Sequence, residues 1–168
     1  SPAFLIPYLF SRGEVQKCGV FGMVDACYNA SMKVMIIGSM RFAKEMMETK
    51  AALEKLGHTA DVPCDTDLHV EDPGLRDDFE RDAIHVKEND IMHRCFALVA
   101  ASDAVLVLNY KHNGIEGYVG ASALMEAGIA AYLKKGIYLL NPVVERYKHE
   151  FAVLDGVIIN GDLSQIPK

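Results

Sequence analysis

The chain has no tryptophan, no long hydrophobic run and no excess of basic residues. No apolar stretch approaches the ~20 residues that a membrane-spanning helix needs, so we expect no membrane association. The net charge is −6 and the 17 basic residues are scattered along the chain, whereas phosphate backbones attract clustered Lys and Arg. Nucleic acid is therefore not expected as a partner, although one or two cations would suffice to hold one small phosphate.

Cysteine is scarce and unpaired in sequence. The four cysteines are Cys18, Cys27, Cys64 and Cys95. They form no Cys-x-x-Cys pair and no set with histidine at metal-ligand spacing, so free thiols in a reducing, cytoplasmic compartment are the simplest interpretation. The histidines His85, His93 and His112 also lack ligand spacing and are interpreted as ordinary surface or helix residues. We therefore predict no metal site.

Residues 1–31 differ from the rest of the chain. They open on an apolar stretch with two prolines, show no strand or helix period, and lack the basic start of a secretion signal. Met32 is followed at once by a strand-like run, which favours Met32 as the natural start and residues 1–31 as a vector-derived or upstream-translated leader. The alternative is an irregular arm that packs on the domain or on a partner subunit.

From residue 32 to residue 168, short apolar runs alternate with helical patterns. Strands are predicted at 33–37, 58–62, 104–108, 137–140 and 157–159. Helices are predicted at 43–56, 75–101 (broken or kinked) and 121–134, while 65–73 is polar and carries no predicted helix. Such alternation indicates a mostly parallel sheet covered on both faces. With about five strands, we predict an α/β three-layer sandwich of the flavodoxin-like or Rossmann-like type.

Sheets of this kind bind ligands beyond the carboxyl ends of their strands, which selects the loops 38–42, 109–120 and 141–144. In the first loop, Gly38 permits close backbone approach and Ser39 can cap the helix that follows. Arg41 adds a guanidinium fork, and together these groups would hold a phosphate or a carboxylate. An ordinary cap beside a solvated arginine explains the same residues equally well. The loop is neither a G-x-G-x-x-G motif nor a P-loop, so we predict no cofactor.

The second loop, residues 109–120, carries three glycines in its last seven residues and leads directly into a helix. Asn109 lies at the strand end, where we expect its side chain to point into the crevice. Glu126 is the only charge between Glu116 and Lys134, and a carboxylate is costly to bury unless it has a partner or a task. Glu126 is therefore a candidate to face the pocket, and the alternative is that it occupies an exposed stripe.

Together these segments resemble the nucleoside 2-deoxyribosyltransferase-like superfamily, which includes 2′-deoxynucleoside 5′-phosphate N-hydrolases. The similarity covers roughly residues 32–166. Its motifs are Gly-Ser-Met-Arg at 38–41, the strand with its flanks at 101–109, Met-Glu-Ala-Gly-Ile-Ala at 125–130 and Ile-Tyr-Leu-Leu-Asn-Pro at 137–142. Within the superfamily the chain is most similar to a branch with a Gly-Tyr-x-Gly loop, here 117–120.

The resemblance implies that Glu126 is the nucleophile of an N-glycosidic cleavage or transfer that retains configuration through a glycosyl-enzyme intermediate. A carboxylate in a dry pocket supports such chemistry. It also implies that Ser39 and Arg41 hold a phosphate, that the partner is a small nucleoside or nucleotide, and that the chain is a homodimer. The residues expected to bind substrate are Gly38, Ser39, Arg41, Asp103, Asn109, Gly117, Tyr118, Gly120 and Ser122.

Three positions depart from the family pattern. The usual tyrosine of the first strand is replaced by Ile36, and a polar residue six positions before the nucleophile is replaced by Gly120. The general-acid aspartate is missing, because residues 93–96 read His-Arg-Cys-Phe and no carboxylate is closer than Asp90. Without a proton donor the leaving base departs as an anion, which forfeits a rate effect of about 10²–10⁴-fold.

Several interpretations therefore stay open. Tyr118, Glu116 or Asp90 could replace the missing acid. The chain could instead be a non-catalytic nucleotide-binding module that kept the pocket and lost the acid, or a protein that acts on another nucleotide-derived ligand.

Overall fold

A wholly parallel sheet of five strands organises the part of the chain that the computed structural model describes, residues 31–168. The strands are β1 (Lys33–Gly38), β2 (Thr59–Asp61), β3 (Ala104–Leu108), β4 (Gly136–Leu139) and β5 (Val157–Ile158). Their order across the sheet is β2-β1-β3-β4-β5, which is the flavodoxin-like order. The predicted α/β class and five-stranded sheet are confirmed. The leader interpretation falls almost entirely on residues 1–30, which lie outside the described residues.

Six helices connect the strands. They are α1 (Ala43–Lys55), α2 (Thr66–Glu71), α3 (Phe79–Glu88), α4 (Ile91–Ala100), α5 (Ala121–Tyr132) and α6 (Lys148–Val153). The predicted helix at 75–101 is a 3₁₀ turn followed by α3 and α4, and it breaks at Asp90, whose φ of 51° is left-handed. The polar stretch 65–73, for which no element was predicted, contains α2, and α6 was not predicted either. Each has six residues, too few to display a helical period.

The sheet buries both of its faces, as a parallel sheet must. Alternate residues of β1 point to opposite sides, so that Met35 and Ile37 pack with side chains of α4, α5 and α6. Val34 and Ile36 pack with α1 on the other side. Helices on both faces give the three layers. Among residues 31–168, no helix combines the length and apolar composition that crossing a membrane would require.

Candidate functional site

A pocket of about 270 Å³ opens at the carboxyl end of the sheet, next to β1 and β3. The chain leaves β1 toward β2 and leaves β3 toward β4, so the connections diverge to opposite sides and a crevice remains between them. The loop after β1 and the first turns of α5 form one part of its wall. Residues of α2, α3 and α4, together with Pro63, Asp65, Arg76 and Tyr118 from the segments that connect the elements, form the rest. The first two of the three loops selected from the sequence thus meet at this edge, although only parts of each reach the pocket.

Glu126 lies in the pocket wall, about one and a half turns into α5, and is only 4% exposed. Among the described residues, none forms a hydrogen bond or an ion pair with its carboxyl group. Burial raises the pKa of Glu126 to about 8, and the negative charge of Asp65 adds to this effect. The carboxyl group is therefore largely protonated at neutral pH, and the alternative of an exposed stripe is wrong.

The loop after β1 contributes Gly38, Ser39 and Arg41 to the same wall. Ser39 caps the 3₁₀ turn at Met40–Phe42, where its Oγ accepts a hydrogen bond of 3.4 Å from the Arg41 backbone N–H. The Arg41 guanidinium lies 2.6 Å from Oδ1 of Asp77. The structure thus places Arg41 beside the pocket but already paired with a carboxylate.

Arg76 is a second cation in this wall, and sequence reasoning missed it. Its Nη1 donates to the Met40 carbonyl at 3.2 Å, which fixes the guanidinium against the loop after β1. Its Nε is buried and has no hydrogen-bond partner. A buried N–H of a cation without a partner is costly, so Arg76 is the stronger candidate to meet an anionic ligand.

The beginning of α5 lies at the same pocket. Gly120 is the N-cap residue of this helix, and it has no side chain that could accept a hydrogen bond from the backbone N–H groups of the first turn. The first turn also contains no acidic residue. Helix N-termini with free N–H groups favour anions. Gly120, Ser122 and Tyr118 all line the pocket, and their binding of substrate stays a prediction. The Tyr118 ring also packs edge-on against His112, with ring centroids 4.9 Å apart.

Asn109 does not reach the pocket wall, and the expectation that it points into the crevice is wrong. It is fully buried. Its Nδ2 donates to the Asn141 carbonyl at 2.7 Å, and its Oδ1 accepts from the Asn141 N–H at 2.8 Å. Asn109 therefore ties the end of β3 to the end of β4.

The structure also places two predicted binding residues, Gly117 and Asp103, outside the pocket wall, where they support the fold. Gly117 has a φ of 64°, and a Cβ there would collide with the backbone carbonyl of Pro142, so the glycine lets the loop lie against that segment. Asp103 precedes β3 and accepts a hydrogen bond of 2.8 Å from the Lys33 N–H. Because it sits at the amino end of the parallel strands, it is at the edge opposite the pocket.

A group of two aspartates and two histidines forms another part of the site, and it was not predicted from the sequence. Two of the four side chains, Asp65 and His69, are buried, and the other two are partly exposed. We call Asp65, His69, Asp82 and His85 the histidine–aspartate cluster. Oδ2 of Asp65 lies 3.4 Å from Nε2 of His69 and 3.3 Å from Nε2 of His85. Oδ1 of Asp82 lies 3.8 Å from Nε2 of His69. Asp65, His69 and Asp82 line the pocket.

The cluster is short of hydrogen bonds. Oδ1 of Asp65, both ring nitrogens of His69, Oδ1 of Asp82 and Nε2 of His85 are buried without a hydrogen-bond partner. The i, i+4 spacing of Asp65 and His69 would have revealed the pair had α2 been predicted. The interpretation of His85 as an ordinary histidine is corrected by its place in this cluster. Within residues 31–168, no three His, Cys, Asp or Glu side chains converge as a metal ion requires.

Cys95 reaches the pocket from α4, in the region where the resembling family carries its general acid. Burial is the main reason that the pKa of the Cys95 thiol is raised to about 12. The negative charge of Glu126 also raises this pKa, whereas a hydrogen bond with the Cys64 backbone lowers it. The thiol is therefore neutral and a poor nucleophile at neutral pH.

Two of the three suggested substitutes for the missing acid lie outside the pocket wall. Asp90 is exposed and pairs with His93 at 2.5 Å, and Glu116 is exposed and pairs with Lys111 at 2.6 Å. Tyr118 is the one of the three that lines the pocket.

Comparison with known proteins adds no relative, because no family model and no curated protein matches the chain. The resemblance to the nucleoside 2-deoxyribosyltransferase-like superfamily accordingly stays a prediction from the motifs at 38–41, 101–109 and 125–130. What can be said of function rests on the geometry of the pocket.

Proposed function

We propose that this protein binds a nucleoside or deoxynucleotide and cleaves or transfers its N-glycosidic bond, with Glu126 as the nucleophile. The observation that carries the proposal is the state of Glu126 itself. A carboxyl group that is 4% exposed, without a hydrogen-bond partner among the described residues and in the wall of a pocket is expensive to maintain. Such perturbed groups cluster at functional sites.

The surroundings of Glu126 suit attack on an anomeric carbon. In its ionised form the carboxylate bonds to C1′ as the bond from C1′ to the base nitrogen breaks, and water later displaces the carboxylate from the same carbon. Positive charge develops on the sugar ring during both steps. An ionised carboxylate in a site of low dielectric stabilises that charge far more than it would in water.

The distribution of charge along the wall suits a ligand with one anionic end. Arg76, Arg41 and the first turn of α5 offer N–H donors for a phosphate. Asp82 offers an acceptor for a hydroxyl or amino group. The volume of about 270 Å³ lies just below the range of about 300–1,000 Å³ for small-molecule sites, which favours a small ligand.

The test is release of free base from 2′-deoxynucleoside 5′-monophosphates and from the matching nucleosides, followed by chromatography. Arg76→Gln is expected to raise KM for the monophosphates by about 10- to 100-fold, because charge-assisted bonds to phosphate contribute about 1.5–3 kcal/mol. KM for the nucleosides should stay unchanged, since they carry no phosphate.

The matched control is Arg94→Gln on the outer side of α4, where the arginine is exposed; it should leave both KM values unchanged. Absence of base release from every monophosphate and nucleoside tested would contradict the proposed reaction. An equal rise in KM for both substrate types would contradict the assignment of the phosphate to Arg76.

A non-catalytic nucleotide-binding module is the second candidate. It is favoured by Cys95, whose neutral thiol with a pKa near 12 occupies the region of the family's general acid and is a poor proton donor. This candidate differs from the first in one outcome. Monophosphates would raise the midpoint of thermal unfolding, yet no free base would accumulate over prolonged incubation.

A further inference from the structure

The cleavage proposed above leaves a base that must be protonated, and the wall that holds Glu126 contains a second buried carboxyl group with no assigned task. We propose that Asp65 is the proton donor to the leaving base, and that His85 is a positioning residue that supplies Asp65 with protons from solvent. This inference rests on the proposed function and names the acid that the reaction lacks.

Asp65 meets the geometric conditions for a donor to a bound ligand. It lines the pocket, and its side chain is 5% exposed. Its Oδ1 is buried without a hydrogen-bond partner, so a ligand atom in the pocket is the partner that this oxygen lacks. It lies within electrostatic range of both Glu126 and Cys95, so the three side chains share one cavity. Two carboxyl groups flanking the scissile bond are what glycosidic cleavage uses.

The other oxygen of Asp65 faces the two imidazoles. Nε2 of His85 and Nε2 of His69 lie 3.3 and 3.4 Å from Oδ2. The His69 side chain is 1% exposed, whereas that of His85 is 20% exposed and can exchange protons with solvent. His85 therefore connects Oδ2 to water, while Oδ1 is the oxygen left for the ligand. The charged and titratable side chains near Asp65 are His69, Asp82, His85, Cys95 and Glu126.

In the reactive form the proton lies on Asp65 and the negative charge on Glu126, which is the reverse of the distribution that the burial of Glu126 favours at rest. The Glu126 carboxylate forms a bond to C1′, and the electron pair of the bond between C1′ and the base passes to the base nitrogen. The proton on Asp65 moves to that nitrogen, so the base leaves neutral. Water then attacks C1′, which frees Glu126, and the proton that water loses passes to solvent. Asp65 regains one proton from solvent through His85, which restores the acid. The net reaction consumes one water and yields base and sugar phosphate, without any oxidant or reductant.

The experiment compares two substrates that differ in their need for an acid. One is 2′-deoxyguanosine 5′-monophosphate, and the other is its N7-methyl analogue, whose cationic base leaves neutral without receiving a proton. Asp65→Asn is expected to lower kcat on the first by about 10²–10⁴-fold and on the second by less than about 10-fold. His85→Asn should show the same selectivity with a smaller loss, whereas a merely structural role would lower both rates equally.

Asp67→Asn is the matched control, because it makes the same substitution at an exposed position of α2, the helix that Asp65 immediately precedes; both rates should be unchanged. Retained turnover of the N7-methyl substrate also shows that Asp65→Asn is folded. Equal loss on both substrates, or no loss on either, overturns the role of Asp65 and leaves the proposed function standing. Failure of the unsubstituted protein to release base from either substrate overturns both.

Discussion

Glu126→Gln is expected to abolish base release while ligand binding survives. The amide cannot form the bond to C1′, so kcat should fall by at least about 10⁴-fold, as when other covalent nucleophiles are removed. Glutamine matches the shape of the protonated carboxyl group, which is the main form of Glu126 at neutral pH because burial raises its pKa to about 8. The variant should therefore fold and keep its pocket.

The measurement pairs chromatography of the released base with ligand-induced shifts of the thermal unfolding midpoint. Glu88→Gln, at an exposed position of α3, is the matched control and should leave both readouts unchanged. Base release by Glu126→Gln within about tenfold of the unsubstituted rate would exclude Glu126 as the nucleophile.

The second large effect is the pH dependence of the free energy of unfolding. The pKa of Glu126 is about 8 in the folded protein and 4.5 for an ordinary glutamate, so the folded state holds a proton that the unfolded state releases between these values. The free energy of unfolding should therefore decrease as pH rises from about 4.5 to about 8. The loss is on the order of 5 kcal/mol, because each unit by which the two pKa values differ corresponds to about 1.4 kcal/mol. Desolvation of the buried carboxyl group is its main cause.

Urea unfolding of the protein and of Glu126→Gln across this pH range isolates the effect, since other groups titrate in both proteins. The variant should gain stability relative to the unsubstituted protein as pH rises, and the difference should level off above about pH 8. Glu88→Gln should show a constant difference. A constant difference for Glu126→Gln as well would mean that the carboxyl group is not held in a desolvated state.

The fold could be predicted because its elements carry their own patterns. The strands β1 and β3 are short runs of buried apolar residues, and α1 and α5 are long enough to show a helical period. The helix α2 could not be predicted in the same way. Its six residues are mostly polar, and the Thr66 hydroxyl that donates to the Pro63 carbonyl at 2.7 Å supports a turn as readily as a helix.

The site was only half predictable for the same reason. The positions of three residues at the ligand edge could be inferred, because they belong to strongly patterned parts of the sequence. Ser39 and Arg41 follow the apolar strand β1, and Glu126 lies in the long helix α5. Asp65 and Arg76 lie in a polar stretch that reads as solvent-exposed, and their burial arises only when α2 and α3 fold over the pocket. Asn109 illustrates the opposite error, because a polar residue at a strand end can equally bond to the neighbouring loop, as it does to Asn141.

The most direct test of Glu126 as a nucleophile is the mass of the protein during turnover of a slow substrate. A 2′-fluoro-arabinosyl nucleoside 5′-monophosphate destabilises the positive charge on the sugar and should let the glycosyl-enzyme accumulate. If Glu126 is the nucleophile, the mass should increase by one fluorinated phosphoglycosyl group, which is the sugar phosphate less one water. Peptide mapping should locate this group on Glu126, and it should be absent in Glu126→Gln. An adduct on another residue, or base release with no adduct at any time, would contradict this role of Glu126.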